Sequence, residues 1–221
     1  MKHHFFLLLV ILAGPTAVCA QHGADTQLIA RDTSRAAAVP AVKSRTVRRA
    51  PQGPLTVSLP KATKDSLIRN IRAVFQRINS DSTLRAVDLD FEAFIEAAGE
   101  APDNGGEIRG YFRNDTIYKL VMGIGLSFGP KEYEYYYERG QVVFVYEKDS
   151  HFAVKDGGLD HDHLVLGFEG RFYFNKGRLI EKIIKRYDQF MAGEIDENYI
   201  NYLLDDTSIY IAALRKQMKK K

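Results

Sequence analysis

The chain has 221 residues, 45% of them hydrophobic and 27% charged, with a single cysteine and no tryptophan. That is an ordinary globular balance, long enough to bury a core without disulfides and unlike a disordered or collagen-like chain. The formal charge of +3 is too small to argue for nucleic acid or an anionic membrane surface as a partner.

Residues 1–20 read as a cleaved signal peptide. Lys2, His3 and His4 make a short polar start, and residues 5–13 are an apolar run too short to anchor in a bilayer. Gly14 and Pro15 break that run. Val18 and Ala20 then stand three and one positions before Gln21, the spacing a signal peptidase reads. The expected mature chain starts at about Gln21 and is periplasmic or extracellular, with no transmembrane anchor left after cleavage. Lipid attachment to Cys19 is the alternative, disfavoured by the bulk of Val18.

Residues 21–60 hold four prolines, six Lys/Arg and two Asp, with no sustained period. Such a segment buries too little apolar surface to offset its chain entropy, so it reads as a flexible tether. A single domain is expected over 61–221. Leu67, Ile68, Ile71, Val74, Phe75 and Ile78 form one apolar stripe at helical spacing, predicting a helix over 63–78 with Thr63 as N-cap. Val87, Leu89, Phe91, Ala93 and Ile95 then alternate with Asp88, Asp90, Glu92, Phe94 and Glu96, which predicts a strand. A helix over 91–98 is the competing reading. A loop follows over 101–106.

Three segments resemble one another without gaps. They begin at Gly106 (EIRGYFRNDTIYKL follows), Lys131 (EYEYYYERGQVVFV) and Phe168 (EGRFYFNKGRLIEK). Aromatic runs on both sides of Asn-Asp, Arg-Gly and Lys-Gly are hairpin signatures, because the turn needs residues that tolerate positive φ. Asp115, Gly140 and Gly177 fall at one turn position. The expected fold is α+β: an antiparallel β-meander of about six or seven strands, with the N-terminal helix and C-terminal helices packed on one face. Alternation turns Ile108, Phe112, Tyr133, Tyr135, Tyr137, Phe172 and Phe174 toward those helices. It turns Glu107, Arg109, Tyr111, Glu132, Glu134, Tyr136, Glu169, Arg171 and Tyr173 toward a wetter surface. The segment after residue 195 is helical in pattern, one helix or two depending on Asp205-Asp206-Thr207, and ends in a basic run that suits a helix C-terminus.

The runs at 105–112, 134–140, 143–148 and 168–174 resemble uncharacterised exported proteins of Bacteroidota-type bacteria, over about residues 61–190. The resemblance implies a bacterial source and an extracytoplasmic location. It carries no catalytic residues to transfer.

The Glu/Arg/Tyr face is the candidate binding site, able to grip a peptide, a glycan or another exported protein. The competing account is cross-strand charge pairing on a plain sheet surface. Asp160-His161-Asp162-His163 has metal-ligand residue types, with His161 and His163 as weak candidates for a divalent ion; a solvated loop is the preferred reading, and no metal or cofactor is expected. Asp88 and Asp90, two apart on a strand, could share a proton. No Ser/His/Asp order, nucleotide-binding glycine loop or HExxH helix is present. A non-enzymatic binding or interaction module is therefore expected. A carboxylate-dependent enzyme, or a structural or inhibitor-like partner, are the alternatives.

Overall fold

Helix α1 (Lys61–Ser80) starts directly behind Pro60, whose carbonyl takes the first helical bond from the Lys64 amide at 3.0 Å. Pro60, not Thr63, is the N-cap, and no side chain caps this end. Proline suits the position because its fixed φ leads into the helix and it has no amide to satisfy. The computed structural model describes residues 55–186, 195–205 and 207–220. The signal peptide, Cys19 and the tether up to residue 54 lie outside the described residues. The tether's last residues are ordered: Leu55 is buried, and Leu55 and Val57 exchange backbone hydrogen bonds with Leu179.

Strand β1 (Arg85–Asp88) stops short of the alternating pattern, and Phe91–Ala98 forms helix α2. The strand expected through Ile95 is corrected by local capping. The Asp90 carboxylate accepts the Ala93 amide at 2.8 Å, and Gly99 closes the helix at φ 87°. Asp88 and Asp90 therefore do not share a strand face. Asp90 is a helix cap, and Asp88 pairs with Arg109 at 2.5 Å.

Six longer strands follow: β2 (Gly106–Arg113), β3 (Thr116–Leu126), β4 (Gly129–Glu138), β5 (Gln141–Lys155), β6 (Gly158–Asn175) and β7 (Arg178–Arg186). All seven strands form one antiparallel sheet in chain order. The C-terminal segment is two helices, α3 (Glu197–Asp205) and α4 (Thr207–Met218).

The threefold repeat reaches the backbone. Each copy shifts register at the same point, after Tyr111, Tyr136 and Tyr173, so Tyr118, Val143 and Ile180 are the extra residues of three equivalent β-bulges. Turn chemistry also repeats: Arg139 and Gly140 have φ of 52° and 75°, Lys176 and Gly177 53° and 73°. In the first copy positive φ falls on Asn114 rather than Asp115. Replacing Gly140 by valine should cost about 1–2 kcal/mol more than replacing it by asparagine, because a β-branched side chain resists this region; urea melts of the two variants check this.

Helices cover both faces of the sheet rather than one. α1 lies over Tyr136, Phe144, Tyr173 and Ile180, burying Ile71, Val74 and Ile78 against them. α2, α3 and α4 lie on the opposite face with Phe112, Leu120, Phe172 and Phe174. The bulges explain the division. Each sets two consecutive residues, such as Val143 and Phe144, toward α1, making an apolar strip on a face otherwise charged. Tyr136 and Tyr173, expected at a wet surface, are therefore buried, at 0% and 4% exposure.

Candidate functional site

The nine expected site residues fall into three rows that cross the α1 face. Register aligns Tyr111, Lys119, Tyr136, Phe144, Tyr173 and Glu181 in the first. The second holds Arg109, Val121, Glu134, Tyr146, Arg171 and Ile183, and the third Glu107, Gly123, Glu132, Lys148, Glu169 and Lys185. Equivalent residues of the repeats thus share a row. Tyr111 is half-buried, and α1 roofs the Tyr136, Phe144 and Tyr173 part of the tyrosine row. The other two rows lie beyond it and form a charged terrace on which Arg109, Glu107 and Glu132 are exposed.

Charges on the terrace answer one another across strands. Lys148 reaches Glu132 at 3.0 Å and Lys119 reaches Glu134 at 2.9 Å. Arg171 pairs with Glu169, which Lys185 approaches at 3.9 Å, and the Arg171 guanidinium lies 5.5 Å from the Tyr146 ring. Glu169 is nearly buried beneath these cations, a departure from the exposed position expected of it. Tyr136 is tied to the roof: its hydroxyl donates to Glu134, and the Asn79 amide of α1 donates to it at 3.1 Å. Each such pair stabilises an exposed sheet by roughly 0.2–1 kcal/mol. The terrace also presents guanidinium, carboxylate and phenol groups at fixed spacing.

Asp160, His161, Asp162 and His163 do not form a free loop. They belong to β6, behind a two-residue turn at Asp156-Gly157, and bulge outward opposite Phe152 and Ala153. Asp160 accepts the Asp162 amide at 3.1 Å and pairs with His163 at 2.9 Å, while the His161 ring packs on Phe152 at 4.4 Å. Among the described residues, no three His, Cys, Asp or Glu side chains are grouped to hold a metal ion.

A second polar cluster, absent from the sequence expectations, lies on the opposite face under α3. Glu147 is completely buried and Asp149 nearly so, side by side on β5 and facing Tyr133 and Lys131 of β4. Lys131 pairs with Asp149 at 2.9 Å, and Tyr199 of α3 donates to Glu147. The remaining carboxylate oxygens, Glu147 Oε1 and Asp149 Oδ1, and the Tyr133 hydroxyl are buried without a well-formed hydrogen bond. Burial pushes the Glu147 carboxyl up to about 7, with the Asp149 charge adding to the rise and Tyr199 and Lys131 opposing it. Burial also raises Asp149, against the pull of Lys131. The cause is visible in the walls. Gly170 is the β6 neighbour of Glu147, and the Phe168 and Phe172 rings close over it so tightly that a Cβ there would stand 2.6 Å from Phe172. The signal in the sequence is a carboxylate pair in phase with Val145, on the strand opposite the inward tyrosines.

No family model, curated protein or solved structure matches this chain. Glu147 and Asp149 are sealed beneath α3, so their chemistry acts on the fold. The terrace is open. Among the described residues no helix is long and apolar enough to cross a membrane.

Proposed function

We propose that this chain is an exported bacterial protein that works as a non-enzymatic binding or interaction module, with the charged terrace as its contact surface. The observation that carries the reading is the unequal cover of one sheet face. α1 covers Tyr136, Phe144 and Tyr173 and leaves the arginine and glutamate rows beyond it uncovered by that helix, with Glu107, Arg109 and Glu132 exposed. Those rows offer charged and aromatic groups on a rigid scaffold, the kind of preformed surface that recognises a polar partner. Export is supported by the leader-like residues 1–20 and by the resemblance to exported Bacteroidota-type proteins.

The test is photo-crosslinking in the producing cells. A photoreactive amino acid replaces Glu132 or Lys148 on the terrace, or Glu100 beyond α2 as a control. Discrete adducts are expected at 132 and 148 and not at 100. Adducts at none of the three, or equally at all three, would refute the terrace as a contact surface.

A further inference from the structure

Among the described residues, strands β5 and β6 outrun their neighbours: β4 pairs with β5 only as far as Asp149, and β7 pairs with β6 only as far as Phe168. Beyond those positions the two strands continue as a two-stranded arm to the turn at Asp156-Gly157, held at its root by the Phe152 amide bonding to the Phe128 carbonyl at 2.9 Å. Phe152 lies opposite Leu164, and Val154 opposite Leu159. Two apart on β5, these pairs share a face, the same one that carries Tyr146 and Lys148 on the terrace. Val154, Leu159 and Leu164 are 75%, 46% and 54% exposed. A two-stranded ribbon is marginal in water unless something packs on it, and exposed apolar side chains grouped on one face mark a contact surface.

The rim of the patch says what fits. Over residues 150–167, Asp156, Asp160 and Asp162 stand against Lys155 alone, an acidic arm on a chain whose overall charge is positive. An anionic membrane surface is repelled by that rim, and a cationic partner is drawn to it. The way of docking is also restricted. The bulge at 161–163, fastened by Asp160, interrupts the β6 edge where an incoming strand would have to pair. On the β6 side a partner is left with the face and its side chains.

We propose that the apolar face of this arm docks a cationic polypeptide segment, one whose apolar side chains seat on Leu159 and Leu164 between flanking lysines or arginines. The inference deepens the binding-module reading, because arm and terrace are one continuous sheet face.

Fluorescence anisotropy with a short labelled peptide of alternating leucine and lysine tests it on the full chain. Saturable binding is expected, weakening as salt rises. The double variant Leu159→Ser/Leu164→Ser, at exposed positions, should weaken it by about tenfold or more. Asp162→Lys should weaken it as well, without touching the apolar patch, and its unchanged thermal melt would show that the fold is intact. A leucine–glutamate peptide should not bind. Equal binding by wild type and both variants, or equal binding of the acidic peptide, would overturn the proposal. So would a Leu159-dependent dimer in sedimentation, which would make a second copy the occupant. The terrace crosslinks at 132 and 148 fail or succeed independently of these outcomes, so loss of the arm proposal leaves the binding-module reading standing.

Discussion

Tyr136→Ala and Phe174→Ala should each lower the stability of the fold by roughly 3–5 kcal/mol, the range for removing a large aromatic ring from a close-packed core. The two rings lie on opposite faces of the sheet. Phe174 is 1% exposed in the core shared with α3 and α4, and Tyr136 is fully buried beneath α1. Tyr136 also holds α1 through Asn79, touches Phe75 at 4.8 Å between ring centroids, and lies beneath Lys119. Glu132→Gln, on the open terrace, should cost less than about 1 kcal/mol, because its pairing with Lys148 is solvated. Denaturant unfolding of the three variants checks all of this. A nearly neutral Tyr136→Ala would show that α1 does not seal this face, and the terrace would then have to be redrawn to include the tyrosine row.

Neighbouring residues mark how far alternation can be read. It places Tyr137 and Phe174 in the core, and both are there. It places Tyr136 on a wet face, and Tyr136 is fully buried. Alternation says which face a side chain takes, and Tyr136 does take the face opposite Tyr137's core; what it does not say is what covers that face. The cover is α1, whose stripe of Ile71, Val74 and Ile78 needs an apolar partner. The partner is Tyr136, Phe144 and Tyr173, widened by the bulge residues Val143 and Ile180 that turn toward the same helix. A bulge is one extra residue in a ladder, and it becomes legible only once the strands are paired. The rows of the terrace are legible in the sequence, because the gapless repeat by itself aligns Glu107, Glu132 and Glu169. Period does not decide the Phe91–Ala98 helix, since so short a segment fits both patterns, and the Asp90 cap settles it. The buried acids are hidden for a different reason. Carboxylates in a strand read as surface until their partners are known, and Tyr199, the group that holds Glu147, lies 52 residues away.

Glu147→Gln should make the protein more stable at pH 8 and leave it no better at pH 4. The folded carboxyl is pushed up to about 7 from an ordinary 4.5, chiefly by burial among Phe168, Phe172 and the underside of α3. Between those two values the folded chain holds a proton that the unfolded chain has released. Stability from this group is therefore fully present below about pH 4.5 and falls as pH rises toward 7, at up to about 1.4 kcal/mol per pH unit. Above 7 both states are ionised and the penalty, on the order of 3 kcal/mol, is complete and constant. Glutamine fits the same space, still accepts from Tyr199 and never ionises, so it escapes that penalty. The carboxylates held low by their partners, Asp81 and Asp196, act in the opposite sense but equally in both proteins. The difference between the two stability curves therefore reports Glu147 together with its coupling to the neighbouring Asp149. It should be near zero at pH 4, rise through the interval 4.5–7 and level off above it. A variant less stable than wild type by several kcal/mol at pH 8 would instead mean that the ionised carboxylate is the form that Lys131 and Tyr199 hold in place. In that case the loss of its charge, rather than its burial, is what the fold cannot tolerate.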